Sequence, residues 1–479
     1  MSLRVRLLLV AILLLAGGLR FARLARDSFW MDEGLTIYIA HRPLSLLVHE
    51  VYNREMGPPL YDGLLWLWVH ALGDSEFAAR FPSAVAGVAS VYLAFSLARR
   101  LFGSDEAGLL AAFLLAISPY HIHYSQEART YPFLFLFAVW SCELYARLTP
   151  ASRGRTQLAY VLVSTLLIYT HLYGGFVLLA QNVAYFAGRM RALPLRRWAV
   201  LQASIAVLFT PWVNPAYETY RFMNAGYFYA KSIHADVFPA AVLAYASTPL
   251  LGLLLCTLAA TALLQFPRRP AVITLCLGLA IFPVLFPVLI SWATHPVFII
   301  RYGITTLIGL DLLAAAALAA LPRPAQFAAA AVLAALAVPS LLHPPDRRED
   351  WRSAAGYVCD HAAPGDSVVV TMDFAHFVFA HYCPRTDIRI DPEDRPAVPG
   401  PPENLPAGAP LPRVWVVTHY PVPTVRELLA GTNYQLAAIK WFREITVFEL
   451  EPLTPSPGAA QSRGGRSARP DRPRLLPVG

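Results

Sequence analysis

Charged residues are scarce in this chain. Only 15% of its 479 residues are Asp, Glu, Lys or Arg, whereas a soluble globular protein has about 25%. Apolar residues make up 56% of the chain, and its mean hydropathy is +0.47. This balance excludes a set of ordinary soluble domains, and the long apolar runs exclude disorder or collagen-like repeats for most of the length. The sequence therefore predicts a membrane protein.

The basic residues do not form a nucleic-acid-binding face. The formal net charge is +8, but Lys231 and Lys440 are the only lysines, and the arginines are scattered between apolar runs. A basic stripe with interleaved aromatics is missing, so no nucleic-acid partner is expected. The five cysteines show no CxxC or Cys/His spacing that would predict a metal site. Cys359 and Cys383 lie outside the apolar runs, and two alternatives remain for them, a disulfide or two buried thiols.

Eleven apolar segments approach the length of about 20 residues that a membrane span needs. These candidate spans are residues 5–22, 79–98, 107–124, 130–147, 157–173, 174–190, 198–215, 237–266, 271–294, 302–321 and 325–342. With the N-terminus in the cytoplasm, 14 arginines fall at cytoplasmic ends and four basic residues in the short opposite loops. The first span is interpreted as retained rather than cleaved, because no small-residue cleavage site follows it cleanly.

The predicted organisation is an all-α polytopic membrane domain, residues 1–345, followed by a small α/β domain, residues 346–451. Eleven spans would place this second domain outside the cytoplasm. The first external loop, residues 24–78, contains an apolar segment, 58–72, that favours a helix in the membrane interface. Residues 452–479 are rich in Pro, Gly, Ser and Arg, which predicts a disordered tail.

Within the second domain, the residue pattern predicts alternating helices and strands. The predicted helices are 350–362 and 424–429, and the predicted strands are 367–372, 413–418 and 445–450. A Pro-rich loop is predicted at 392–412.

Polar residues concentrate at the predicted outer ends of the spans. Asp32 and Glu33 lie in the first external loop, residues 118–131 follow the third span, His171 ends the fifth and Arg301-Tyr302 begins the tenth. A carboxylate there can act as general base on an acceptor hydroxyl or amine. Arginines suit a phosphate leaving group, and aromatic rings can stack on a sugar. The set therefore fits group transfer from a lipid-phosphate donor.

Ten residues are candidates for this chemistry. The catalytic candidates are Asp32 and Glu33, and the substrate-binding candidates are Arg129, Arg301, Tyr124, Gln126, Glu127, Tyr131, His171 and Tyr302. Each has a structural alternative: the acids can cap a helix, the arginines can anchor at the interface, and His171 can be a core histidine. Asp311 lies deep in the tenth span, where a helix-packing role is favoured.

These residues also carry a resemblance to a known family. The chain resembles the bacterial members of the dolichyl-phosphate-mannose protein mannosyltransferase family, including the aminoarabinose transferases, which have the C-type glycosyltransferase fold. The matching segments are Trp30-x-Asp32-Glu33, Pro58-Pro59-Leu60-Tyr61, Ala79-Arg80-Phe81-Pro82-Ser83, residues 118–131, Thr170-His171, Arg301-Tyr302 and Asp350-Trp351-Arg352. The segment 118–131 is the most specific of them, and the resemblance covers roughly residues 1–380. Many relatives have Lys or His just before the Pro-Pro pair, where this chain has Gly57.

The resemblance implies an inverting transfer of a sugar from a polyprenyl-phosphate carrier at the outer face of a bacterial membrane. By it, Asp32 is the general base with Glu33 beside it, and Arg129 and Arg301 hold the donor phosphate. The implied partners are that donor, membrane lipids and a lipid, polysaccharide or protein acceptor. No cofactor is required, and a divalent ion near the two acids is left open.

Other classes of membrane protein provide the alternatives. A transporter or flippase of a lipid-linked substrate needs polar groups at mid-bilayer and often an inverted repeat. Here the polar groups gather at one face, only Asp311 is deep, and no inverted repeat is evident. A scaffold without catalysis and a ligase for preassembled glycans are further alternatives. The acid and arginine set favours a transferase.

Overall fold

The computed structural model describes ten segments of the chain. They are residues 1–46, 58–187, 193–222, 236–265, 269–343, 348–371, 374–393, 411–419, 424–430 and 432–453. Gly57, Lys231, most of the predicted loop at 392–412 and nearly all of the predicted disordered tail lie outside these segments.

Most of the described residues are helical. The first half contains α1 (Leu3–Phe21), α2 (Met31–Ala40), α3 (Leu60–Leu72), α4 (Glu76–Phe102), α5 (Asp105–Ile117), α6 (Pro119–Ser125), α7 (Tyr131–Arg147), α8 (Gly154–Thr170) and α9 (Gly174–Ala187). The second half contains α10 (Leu195–Phe209), α11 (Val213–Phe222), α12 (Val237–Ala246), α13 (Pro249–Gln265), α14 (Pro270–Ala293), α15 (Thr306–Ala319), α16 (Arg323–Leu342), α17 (Trp351–His361), α18 (Ala375–Tyr382) and α19 (Val425–Leu429). Two 3₁₀ helices lie at Thr210–Trp212 and Ile300–Thr305.

Two segments predicted as single spans are each built from two helices. The segment 107–124 bends by 63° between α5 and α6. Its break falls at Ser118, which caps α6, and at Pro119, which cannot donate to the preceding turn. The segment 237–266 bends by 98° between α12 and α13, where Ser247 adopts a left-handed conformation ahead of Pro249. Both candidate spans are therefore broken helices rather than straight ones.

Several helices have the length and composition to cross a membrane. Among the described residues, five helical stretches meet this requirement, with Leu195–Arg221 and Ile300–Ala319 each counted as one continuous stretch, and the number is seven if each bent pair counts as one span. Helices occur at all the predicted spans, but the number eleven itself stays a prediction. Large apolar side chains cover the outside of the bundle, as with Leu264, which is 83% exposed. Such a surface needs lipid around it.

Close packing inside the bundle uses small residues. A Cβ on Gly309 of α15 would lie 2.3 Å from the carbonyl oxygen of Cys276 in α14. The two backbones are therefore in contact. In a membrane the hydrophobic effect does not drive helices together, so helices associate by close packing of this kind through small residues.

The C-terminal part contains a five-stranded sheet. Its strands are β1 (Ser367–Thr371), β2 (Arg389–Glu393), β3 (Val414–His419), β4 (Tyr434–Phe442) and β5 (Ile445–Pro452), in the order β2-β1-β3-β5-β4. The pairs β1–β2 and β1–β3 are parallel, whereas β3–β5 and β4–β5 are antiparallel. The predicted helices and strands of this part are present, and β2, β4 and α18 were missed. A disulfide joins Cys359 to Cys383, which resolves the two alternatives left by the sequence.

The sheet part packs directly on α2. Gly34 of α2 leaves no room for a side chain, because a Cβ there would lie 2.3 Å from the Cβ of Val378 in α18. Tyr38 stacks on Phe377 with ring centroids 4.0 Å apart, and the backbone N–H of Phe29 donates to the Tyr382 hydroxyl. The first loop and the sheet part thus share one hydrophobic core, which fixes α2 in position.

Candidate active site

Helix α2 begins at Met31 and presents Asp32 and Glu33 in its first turn. Its preceding residue, Trp30, offers no capping oxygen, so the first N–H groups need acceptors from elsewhere. The carboxylate of Glu33 accepts from the Trp30 N–H at 3.4 Å, and Glu349 accepts from the Met31 N–H at 3.2 Å. Glu33 and Glu349 together cap the helix, and the Asp32 carboxylate is left for other contacts.

Asp32 faces two arginines that come from distant parts of the chain. Its Oδ2 lies 3.1 Å from Arg301 Nη2 and 3.6 Å from Arg129 Nη2. Arg129 also donates to the Asp32 carbonyl at 3.1 Å and to Thr36 Oγ1 at 2.7 Å. Although burial lowers the pKa of Arg129, the Asp32 carboxylate holds that pKa above its usual value, so Arg129 stays charged. The cluster keeps one excess positive charge and suits an anionic group.

The three side chains of this cluster are partly accessible. Asp32, Arg129 and Arg301 expose 15%, 22% and 19% of their side chains, respectively. They are therefore shielded enough for strong electrostatic interaction and still open to a ligand.

Aromatic rings surround Arg301. Its guanidinium lies 5.5 Å from the ring centroid of Trp30, 6.0 Å from Tyr131 and 5.8 Å from Tyr302. The His171 ring packs on Tyr302 at 4.6 Å, and its Nδ1 accepts from the Tyr173 N–H. Rings at this spacing form a wall on which a sugar can stack beside the arginine pair.

The loop between α6 and α7 has mainly anchoring contacts. Gln126 Nε2 donates to the carbonyls of Leu19, Arg20 and Ala22 at 3.0, 3.3 and 2.9 Å, so its amide nitrogen caps the end of α1. Glu127 is buried and lies 3.2 Å from His123 and 3.8 Å from Arg348. These contacts explain both side chains structurally and give no support to the predicted substrate binding. Tyr124 stacks edge-on against Tyr131 at 5.2 Å, behind the aromatic wall.

Glu33 is turned away from Asp32 into a buried ion pair. Its two oxygens accept from Arg80 Nε and Nη2 at 2.8 and 2.6 Å, and both side chains are 0% exposed. The Ala128 N–H also donates to Glu33 at 2.7 Å. Burial raises the pKa of Glu33, but Arg80, together with Arg348 and the Ala128 N–H, more than offsets this rise, so the pKa lies below its usual value and the carboxylate is ionised. These contacts favour a positioning role for Glu33 over the predicted direct catalytic role.

Arg80 completes the anchoring of the first loop. Its remaining donors bind the backbone carbonyls of Leu24, Asp27 and Ser28 at 2.9, 2.8 and 2.9 Å. Arg80 lies in one of the segments that carry the family resemblance, but nothing in the sequence indicated that it binds Glu33 and three backbone carbonyls.

Two further carboxylates near the site were not among the predicted residues. Asp62, in the first turn of α3, has its pKa raised to about 6 by burial, and the charge of Arg129 partly opposes this rise. Glu349 precedes α17, accepts from the Trp351 indole and lies 3.4 Å from His419 Nε2. Burial raises the pKa of Glu349. Its contact with Met31 crosses 318 residues of chain, which no local pattern can reveal.

In the ten described segments, no group of three or more His, Cys, Asp or Glu side chains is arranged to hold a metal ion.

The chain is similar to known proteins in part of its sequence and in its fold. Residues 56–214 match the dolichyl-phosphate-mannose-protein mannosyltransferase family. Together with the shared fold described next, this match confirms the resemblance noted from the sequence. The several long apolar helices indicate a multi-pass membrane protein.

Three solved structures of two proteins illustrate the likeness. ArnT from Cupriavidus metallidurans in its apo state superposes with a TM-score of 0.64 over 92% of this chain and 97% of that chain, at 15% identity. The same protein bound to undecaprenyl phosphate gives 0.61 over 94% and 98%, at 15% identity. The archaeal oligosaccharyltransferase AglB from Archaeoglobus fulgidus, solved with an inhibitory peptide and a dolichol-phosphate, gives 0.55 over 81% and 64%, at 12% identity. At such identities these likenesses show the fold.

A sequence relative is an uncharacterized protein of Aquifex aeolicus (strain VF5). It is 26% identical over 239 residues, which is 44% of this chain. The matched region spans 46% of that relative's length.

Proposed function

We propose that the chain is an inverting glycosyltransferase that moves a sugar from a polyprenyl-phosphate donor to a lipid, polysaccharide or protein acceptor. The observation that carries this proposal is the contact of one partly exposed carboxylate, Asp32, with two charged arginines, Arg129 and Arg301. A base and a phosphate-binding pair are thereby adjacent, as a displacement at a sugar–phosphate bond requires.

The reaction follows from these three side chains. Asp32 takes the proton of the acceptor as its oxygen or nitrogen attacks the anomeric carbon, while the bond from that carbon to the phosphate oxygen breaks. The electron pair leaves with the polyprenyl phosphate, which gains one negative charge. Arg129 and Arg301 stabilise that charge, so the leaving group needs no proton. A single displacement inverts the anomeric centre, and the aromatic wall holds the sugar.

The surrounding residues position this machinery. Glu33 with Arg80 ties α2 to α4, and Glu349 ties the start of α2 to the segment that leads into the sheet part. We assign residues 1–345 to the transferase domain and 346–451 to an α/β domain that supports α2. We place the site at the outer face of a bacterial plasma membrane, with the N-terminus in the cytoplasm, because the arginine distribution of the loops favours that orientation.

Transfer by the purified chain in proteoliposomes tests the function. With a panel of radiolabelled polyprenyl-phosphate sugars, we expect label from one donor to move to an acceptor or to water. Replacing Arg301 by Gln removes a charge-assisted contact of about 1.5–3 kcal/mol, so donor affinity should fall by roughly ten- to hundredfold.

The matched control is Arg221→Gln, an exposed arginine paired with Glu218 within α11, which should leave donor affinity unchanged. If no donor releases its sugar and labelled lipid instead crosses the bilayer, the protein is a flippase and the proposal is wrong.

The pH dependence of donor binding tests whether the Asp62 carboxylate competes with the donor phosphate for Arg129. Below about pH 6 its carboxyl is neutral, because burial raises the pKa to about 6, and above that pH it becomes an anion near Arg129. The anion competes with the donor phosphate for that guanidinium, at about 1 kcal/mol for a partly screened pair. We expect the donor KM to rise roughly fivefold between pH 5 and pH 7. Asp62→Asn should remove this rise; an unchanged pH profile in the variant would contradict the assignment.

A further inference from the structure

A large cavity lies at the end of the helix bundle opposite Asp32. It has a volume of about 1380 Å³ and opens between the start of α1, the end of α4, the start of α5 and the start of α16. Arg80, which pairs with Glu33, is in the first turns of α4, whereas Arg99 and Arg100 of the cavity are in its last turn. Some 20 helical residues separate them, roughly 30 Å along the axis. The cavity is therefore distinct from the candidate active site.

The lining of this cavity is strongly basic. Its charged side chains are Arg4, Arg6, Arg99, Arg100, Arg323, Asp105 and Glu106. Five arginines against two carboxylates leave a formal excess of three positive charges. The two carboxylates are occupied, because Asp105 pairs with Arg99 and Glu106 pairs with Arg323.

The three remaining arginines, Arg4, Arg6 and Arg100, differ in their partners. Arg100 contacts Glu143 of α7 at 3.5 Å, outside the cavity lining. Arg4 and Arg6, in contrast, form no ion pair with any residue of the described segments. Two cations on the first turns of α1 thus face a space large enough for a ligand, and neither has a counter-ion among the described residues.

Apolar side chains line the same cavity beside the arginines. Leu8 of α1, Tyr92 of α4 and Phe327 of α16 contribute to its wall and are exposed. All three lie one to two helical turns deeper in the bundle than the charged ends. The cavity therefore has a cationic mouth and an apolar interior, which is the polarity order of a phospholipid at the membrane surface.

We propose that this cavity binds an anionic phospholipid. Arg4 and Arg6 hold its phosphate at the mouth of the cavity, and its acyl chains lie against Leu8, Tyr92 and Phe327. Basic pockets between membrane helices are a recognised mode of binding anionic headgroups. The site takes no part in the proposed transfer reaction, and its role is to hold α1, α4, α5 and α16 together through a structural lipid.

Electron spin resonance with the full-length chain in phosphatidylcholine vesicles tests the proposal. The probes are spin-labelled phosphatidylglycerol and spin-labelled phosphatidylcholine, and the readout is the motionally restricted fraction of each. We expect phosphatidylglycerol to be preferred by roughly thirtyfold, since the two arginines contribute about 1 kcal/mol each. Arg4→Gln/Arg6→Gln should bring the preference down to near unity, and Arg4→Lys/Arg6→Lys should retain most of it.

The matched control is Arg153→Gln/Arg155→Gln, an exposed arginine pair at the start of α8 that does not line the cavity. A loss of selectivity equal to that of Arg4→Gln/Arg6→Gln would mean general surface attraction and would overturn the proposal. Displacement of the bound probe by millimolar inorganic phosphate would do the same, since it would identify a free-phosphate site. Phe327→Asp, which places an acid at an exposed position in the cavity, provides a second variant that should lose the preference.

Discussion

Replacing Asp32 by Asn is expected to lower kcat by about 10²–10⁴-fold, the range that a positioned general base contributes. The amide keeps the size of the side chain but cannot take the proton of the acceptor. The donor KM should stay constant or fall, because Arg129 and Arg301 are released from the carboxylate that lies 3.6 and 3.1 Å away. Single-turnover transfer at saturating and limiting donor separates the two parameters.

Asp74→Asn provides the control for this experiment. Asp74 is an exposed acid on the same side of the protein, where it pairs with His41 at 3.0 Å, and it lies outside the arginine cluster. Its substitution should leave kcat unchanged. Near-normal turnover of Asp32→Asn would exclude Asp32 as the base, even if transfer itself is established with the wild-type chain.

The positions of most helices could be predicted because a bilayer imposes a simple requirement. A run of apolar residues must be helical there, since no water is present to bind its backbone. The bends at Ser118 and at Ser247 were not predicted, because hydropathy reports how apolar a segment is and not where its backbone changes direction. Ser118-Pro119 did contain a signal, as a capping residue followed by proline typically begins a new helix.

The arginine pair of the site could also be predicted, but its arrangement could not. Asp32, Arg129 and Arg301 were each conspicuous as polar residues at the ends of apolar runs. Which acid faces the arginines depends on the direction of α2, and that direction is set by contacts with Arg80 and Glu349, 47 and 318 residues away from their partners. Neighbouring acids such as Asp32 and Glu33 look equivalent in a sequence and point in different directions on a helix.

The sheet was only partly predictable for a similar reason. The buried strands β1 and β3 are continuous apolar runs and were recognised. β2, with the sequence Arg-Ile-Asp-Pro-Glu, has no such run and becomes a strand only by pairing in parallel with β1. Propensity is too weak to identify an edge strand that tertiary pairing creates.

The second large effect is expected from the buried pair of Glu33 and Arg80. Arg80→Met leaves an ionised Glu33 inside the protein without its partner, so the free energy of unfolding should fall by about 3–5 kcal/mol. Arg80→Met/Glu33→Leu should recover a large part of that loss, because no uncompensated charge remains. Equilibrium unfolding in mixed micelles measures both. The control Arg352→Met breaks a partly exposed pair with Glu76 and should cost about 1 kcal/mol or less.

The same pair separates positioning from catalysis for Glu33. Since both of its oxygens bind Arg80, Glu33 cannot accept a proton from an acceptor without giving up that ion pair. Glu33→Gln should therefore lower stability, while kcat per folded molecule falls by much less than the roughly hundredfold minimum expected for a general base. A loss of kcat as large as that of Asp32→Asn, in a variant with normal stability, would restore Glu33 as a catalytic residue. A small loss of kcat would instead identify Glu33 as a positioning residue, because it holds the first turn of α2 in the orientation in which Asp32 faces the two arginines.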